Sequence, residues 1–122
     1  MAIYRNNING QFTPKYKAHR VEDPVYGWFD SKWEHERFHE LLVLEAAKEI
    51  SGLRRQVPFK CEVNGKLVCT YKADAVYQEG QHLVVEDAKG FPTADWRIKW
   101  KLMQALYPRY KFRALKKGGK AI

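Results

Sequence analysis

The sequence predicts helices packed on a mixed sheet, in an α+β or α/β fold. Two amphipathic helical stretches, near residues 31–50 and 93–107, bracket three β-rich stretches at 53–63, 66–77 and 82–88. A short β-rich run at 109–115 follows the second helix. The hydrophobic period therefore changes from 3.6 to 2 and back, in the order helix, three strands, helix, strand.

The length of 122 residues suits a single domain with a real core, and a 14% aromatic content excludes a disordered chain. Lys and Arg outnumber Asp and Glu by 22 to 14, a net charge of +8. Such a balance in a Trp- and Tyr-rich domain points to a polyanionic partner, nucleic acid first. No apolar run approaches the ~20 residues of a membrane span. The N-terminal stretch MAIYRNNINGQF lacks the apolar segment of a secretory leader, so a cytoplasmic protein is expected. Cys61 and Cys69 are too few for a disulfide scaffold or a Cys-rich zinc site. His19, His35, His39 and His82 show no convincing ligand spacing.

Residues 1–27 are polar, basic and aromatic, broken by Asn9-Gly10, Pro14 and Pro24. They read as an arm with little regular structure. Its Lys15, Lys17 and Arg20, mixed with tyrosines, suit phosphates and bases, although a solvated tail would look the same. Ser31 is a good N-cap for the first helix, and Ser51-Gly52 is expected to end it. At ~100° per residue Glu34, Phe38, Leu41 and Glu45 share one stripe, with Glu36, Arg37, Glu40 and Lys48 outward. Glu34 thus points toward an apolar face, yet Ser31-x-x-Glu34 also fits a capping box.

Asn64-Gly65 is a two-residue hairpin loop, pairing Val63 with Lys66 and Cys61 with Val68 and sending Cys69 to the other face. A second turn lies in residues 78–81. With Glu79-Gly80 as its loop, Asp74 stands opposite Val85 and Lys72 opposite Asp87. Alternation then puts Asp74, Asp87 and Lys89 on one face and Glu86 on the other; a bulge would exchange Asp87 for Glu86. Two carboxylates and an ammonium on one face could hold a divalent ion and act on a phosphodiester, or could form a simple salt bridge. In the second helix Trp96, Trp100, Leu102, Met103 and Leu106 form a broad apolar side. Arg97, Lys101 and Gln104 lie opposite, while Lys99 falls within the apolar side and must snorkel or meet an anion. The basic tail, residues 116–122, is expected to fray.

Asp74, a hairpin, then Asp87-Ala88-Lys89 resembles the PD-(D/E)xK nuclease signature. The segments FDSKWEHERFHELLVLEAAKEI, LRRQVPF, YKADAVY, VVEDAKG and TADWRIKWKL, in this order over residues 29–110, are similar to small phage nucleases of that superfamily, some of them Holliday junction resolvases. The resemblance implies a restriction-endonuclease-like α/β fold with an α-β-β-β-α-β core, occupying residues 28–115. It implies that Asp74, Asp87 and Glu34 bind metal, Mg²⁺ with Mn²⁺ as a substitute, and that Lys89 is the catalytic lysine. It places Gln56 near the site. Arg54, Arg55, Arg97, Lys99, Lys15, Lys17 and Arg20 are the candidate DNA-contacting cations. Ala73 stands where the signature has proline. A resolvase cuts two strands symmetrically, so the implied partner is a four-way DNA junction and the implied assembly a homodimer. A same-fold nuclease of other DNA substrates, or a non-catalytic DNA-binding module, is the alternative.

Overall fold

The computed structural model describes residues 19–122 in full. Ahead of them it describes the backbone of two short strands, β1 (Tyr4–Asn6) and β2 (Phe12–Pro14), which pair antiparallel. A second antiparallel hairpin follows, β3 (Val21–Asp23) and β4 (Gly27–Phe29). The expectation of an arm with little regular structure is thus corrected. Pro24, read as a breaker, follows Asp23 in a tight turn, a position that suits proline's fixed φ. Asp23 Oδ1 accepts from the backbone N–H groups of Val25 (2.8 Å) and Tyr26 (3.0 Å), and Gly27 takes φ 82°.

Helix α1 (Lys32–Ala46) starts where expected: Ser31 Oγ accepts from Glu34 N at 3.1 Å. It stops short of residue 50, because Lys48 adopts a left-handed φ of 62°. The Lys48 and Glu49 N–H groups then donate back to the Glu45 and Leu44 carbonyls, at 3.0 and 2.9 Å. This is a Schellman closure with lysine where glycine is usual, and so it left no mark in the sequence pattern.

Three antiparallel strands follow: β5 (Ser51–Val63), β6 (Lys66–Glu79) and β7 (His82–Lys89). Asn64 and Gly65 both have positive φ, as the favoured hairpin turn requires, and Val63 pairs with Lys66. A register shift between Cys61 and Glu62 then sets Cys61 opposite Cys69, not Val68. Both are free thiols. Burial and the bond to Cys69 push the Cys61 thiol up to about 11. The β6–β7 turn is Gly80-Gln81, one residue later than assumed, so Val85 faces Val76 instead of Asp74.

Helix α2 (Ala94–Leu106) is capped by Thr93, whose Oγ1 accepts from Trp96 N at 3.2 Å. The chain returns as β8 (Lys111–Lys116), parallel to β7, and ends in β9 (Lys120–Ala121), antiparallel to β8. Gly118 and Gly119, both at positive φ, make that last turn, and the expected frayed tail is instead the edge of the sheet. The result is an α/β fold with a mixed sheet of order β5-β6-β7-β8-β9. Val85, Phe59 and Tyr71 pack against Trp96, Trp100 and Met103 of α2. Val84, Tyr77 and Ala75 pack against Leu41 of α1. Adjacent strand residues face opposite ways, so the helices cover opposite faces. Among the described residues no helix is long and apolar enough to cross a membrane.

Candidate active site

Strand alternation breaks at one level of the sheet. Tyr71 and Ala73 face α2, yet Ala75 and Tyr77, also two apart, face α1. The switch falls on Asp74. Directly across on β5, between the pairs Arg55–Ala75 and Val57–Ala73, Gln56 takes φ 56°. These two irregularities kink both strands and bring Asp74 to the α1 side. There Asp74, Gln56 and Glu34 line one pocket, with Phe29, Phe38 and Ala88 around them.

Glu34 enters from the first turn of α1. Its Oε2 accepts from Ser31 Oγ at 3.3 Å, so half of a capping box coexists with its place in the pocket. Burial first, then the charge of Asp74, pushes the Glu34 carboxyl up to about 8. Protonated, it donates to Asp74. Burial also raises Asp74, against the pull of Lys89, the Ala88 N–H and Glu34. The Ala88 N–H donates to Asp74 Oδ2 at 2.9 Å. The left-handed backbone at Gln56 costs roughly 1 kcal/mol for a residue with a Cβ. Gln56→Gly is therefore expected to be about 1 kcal/mol more stable than Gln56→Ala in urea unfolding, although both remove the same amide from the pocket.

Asp87 and Lys89 lie across the seam. Asp87, fully buried, faces α2, not the pocket that Asp74 lines, which corrects the expectation of one shared face. Its Oδ2 accepts from the Tyr71 hydroxyl and from Trp96 Nε1 (2.7 Å), and Lys89 Nζ stands 3.8 Å away. Among the described residues its Oδ1 accepts a single long bond, 3.2 Å, from Asp74 N. Asp87 is thus tied to the backbone of Asp74, and Asp74 to the backbone of Ala88, where the strands part. Burial opposes the charge on Lys89, but Asp87, Asp74, Glu34 and Asp30 outweigh it and hold the ammonium above its usual range. Lys89 is the point at which all the predicted acids meet electrostatically.

Glu86 faces α1 and is committed elsewhere. Arg37 grips it with two bonds, Nε to Oε2 at 2.7 Å and Nη2 to Oε1 at 2.9 Å, and the Tyr77 hydroxyl donates to Oε1 at 2.6 Å. Arg37, expected to look outward, is instead half of a buried ion pair. The helix stripe misassigned it because a guanidinium can fold back along its stem to the sheet.

The predicted DNA-contacting cations divide. Lys99 and Arg97 are exposed, and Lys99 lines an open cleft with Lys72, Lys89, Asp87 and Thr93. Lys99 therefore stands at the mouth of the site rather than within the apolar face of α2. Arg54 is exposed and Arg20 lies over the Trp28 ring. Arg55 is half-buried at the pocket that Glu34 and Asp74 line: it stacks on Phe29 and donates to the backbone carbonyls of Tyr26 and Trp28. Lys15 and Lys17 lie outside the described residues.

One group escaped the sequence reading. Asp23, His35 and His39 bring three potential metal-ligand atoms within 4.8 Å of one another. This corrects the statement that the histidines lack a ligand spacing. His35 and His39 are four apart on α1, a spacing visible in HERFH, but the third member comes from a hairpin in a stretch whose composition suggests an irregular arm.

No curated protein and no solved structure matches this chain. A family model does, over residues 13–120, from β2 through to β9. The chain belongs to the family described as protein of unknown function (DUF1064).

Proposed function

We propose that this protein is a divalent-metal-dependent endodeoxyribonuclease of PD-(D/E)xK type that acts on branched DNA, four-way junctions first. One observation carries the reading: Glu34 from α1 and Asp74 from β6 share one pocket, and Asp87 with Lys89 from β7 stands just across the seam, tied to it by the bond from Asp74 N to Asp87 Oδ1. Three carboxylates against one ammonium make an acidic centre in a chain of net charge +8. Such a cluster costs stability, and a hard cation that prefers oxygen ligands offsets the cost. Glu34 and Asp74 offer oxygens from one pocket, and Asp87 Oδ1, bonded at 3.2 Å to Asp74 N across the seam, would be the third. Mg²⁺, or Mn²⁺ in its place, would supply Lewis acidity toward a phosphate oxygen and an ionised water near neutral pH.

The chain's own residues do the remaining work. Lys89, fixed by Asp87, presents its ammonium to charge that builds on the phosphate. Asp87 is itself fixed by Tyr71 and Trp96, so the lysine is aimed by buried groups rather than left on a mobile stem. Lys72 and Lys99 line the same cleft and suit the flanking phosphates, recognised by charge and shape rather than by base sequence. A symmetric cut of a junction needs two such sites, which implies a twofold homodimer.

The test is a cleavage panel over four-way junction, flap, nicked, linear and single-stranded DNA, with Mg²⁺, Mn²⁺ or chelator. Metal-dependent cutting with preference for the junction is expected. Preference for linear or nicked DNA would transfer the reading to another substrate of the same chemistry. Binding with no cutting of any substrate would leave a DNA-binding module. Lys89→Ala should lower the single-turnover rate by on the order of 10² or more, with little change in DNA affinity. A salt-bridge role alone would lower the melting temperature and spare the rate.

A further inference from the structure

The first two turns of α1 carry a second cluster of ligand atoms, apart from the acid–lysine centre. His35 and His39 are one helical turn apart, so their rings share a face. Glu34 precedes His35, but a ~100° rotation per residue turns it to another side of the helix. Asp23, at the end of β3, reaches both rings: its Oδ2 lies 2.9 Å from His35 Nε2 and 2.8 Å from His39 Nε2. We propose that Asp23, His35 and His39 bind one zinc-class ion, which clamps the β3–β4 hairpin onto α1.

The ligand chemistry selects the ion. Two imidazole nitrogens with one carboxylate oxygen suit Zn²⁺ and its transition-metal neighbours, whereas Mg²⁺ prefers oxygen alone. Three protein ligands leave a fourth position for water, and the half-exposed ring of His39 opens that side to solvent. The carboxylate is aimed in advance. Asp23 is buried, and the Val25 and Tyr26 N–H groups fix its Oδ1, which leaves Oδ2 directed at the two rings. Such outer bonds orient ligands at metal sites. His35 is held in turn by an edge contact with Phe29, 4.9 Å between centroids, and the two imidazoles meet at 4.6 Å. A simple ion pair needs one histidine on Asp23. Two ring nitrogens and one carboxylate oxygen, all within 4.8 Å of one another, form a set that can hold one ion.

His35-Glu36-Arg37-Phe38-His39 has the His-Glu-x-x-His spacing of helix-borne zinc pairs. Glu36 is exposed here, and the three ligands come from the two segments that enclose the Phe29–Phe38 contact. The ion therefore ties the hairpin to the helix that carries Glu34. This assignment does not depend on the nuclease reading.

The experiment uses the whole chain, stripped with chelator, then titrated with Zn²⁺ by calorimetry and with Co²⁺ by visible absorption. One Zn²⁺ per chain is expected, bound far more tightly than Mg²⁺, with a rise in melting temperature and the visible bands of nitrogen-ligated Co²⁺. Asp74→Asn should bind Zn²⁺ as the wild type does, which separates this site from the acid–lysine centre. His39→Ala, at an exposed position where truncation costs the fold little, should lower Zn²⁺ affinity by ~10²-fold or more and abolish the thermal shift. Asp23→Asn keeps an acceptor for Val25 and Tyr26 and so preserves the turn, yet it too should weaken Zn²⁺. Absence of stoichiometric binding in the wild type would overturn the proposal. So would equal binding by wild type, His39→Ala and Asp23→Asn.

Discussion

Asp74→Asn is expected to abolish the proposed metal-dependent cleavage and to keep junction binding. The loss is expected to be on the order of 10³-fold in single-turnover rate, the scale of removing a group that organises charge at the reacting centre. Binding should hold or tighten, because one negative charge leaves the path of a phosphate. The fold should hold as well. An asparagine side-chain oxygen still accepts from the Ala88 N–H, which now bonds Asp74 Oδ2 at 2.9 Å. Removing one of two close carboxyls also relieves the Asp74 charge that, after burial, pushes Glu34 up to about 8, so the melting temperature should stay level or rise. A stable, fully active Asp74→Asn would end the nuclease assignment. A stable, inactive one with normal DNA binding is the result expected from the proposed function, and Glu34→Gln should follow it.

Arg37→Leu has the largest expected effect on stability. It strands Glu86, 1% exposed, with only the Tyr77 hydroxyl from its present partners. Breaking one side of a buried pair costs about 3–5 kcal/mol, much of it the price of the unpaired charge. Urea unfolding should show this as a fall in midpoint with the slope unchanged. The double variant Arg37→Leu with Glu86→Leu should recover most of the loss, since an apolar pair of similar volume needs no compensation. Recovery in the double variant separates the ion pair's energy from simple overpacking. Beyond Tyr77 the network continues through Arg113, which donates to the Tyr77 hydroxyl at 2.8 Å and to Glu79 at 2.9 Å. Arg113→Ala should therefore weaken the same element by a smaller amount.

Much of the fold was legible because it rests on local chemistry. Ser31 and Thr93 mark helix starts by offering a side-chain oxygen to an orphan N–H two or three residues on. Asn64-Gly65 marks its turn because those residues tolerate positive φ. The apolar rows of the two helices define what must be buried, whereas β7 is buried on both faces over Val84–Ala88. The Asp87-x-Lys89 spacing likewise puts the two side chains on one face of β7, where they meet at 3.8 Å. The failures occurred where the backbone departs from its period. The Cys61–Glu62 bulge, left-handed Lys48 and the double kink at Gln56 and Asp74 have no residue signature, since none of them uses glycine.

The sequence therefore determined which residues carry charge and which elements they ride on, because capping, turns and hydrophobic period act within a few residues of chain. Which carboxylates meet was a matter of packing. A kink in two adjacent strands turned Asp74 toward Glu34, while Asp87 was drawn to Trp96 and Tyr71 and Glu86 to Arg37. The same holds for Asp23, which meets His35 and His39 because the hairpin folds back on α1. These are long-range contacts, set by how whole elements pack, and no local pattern records them.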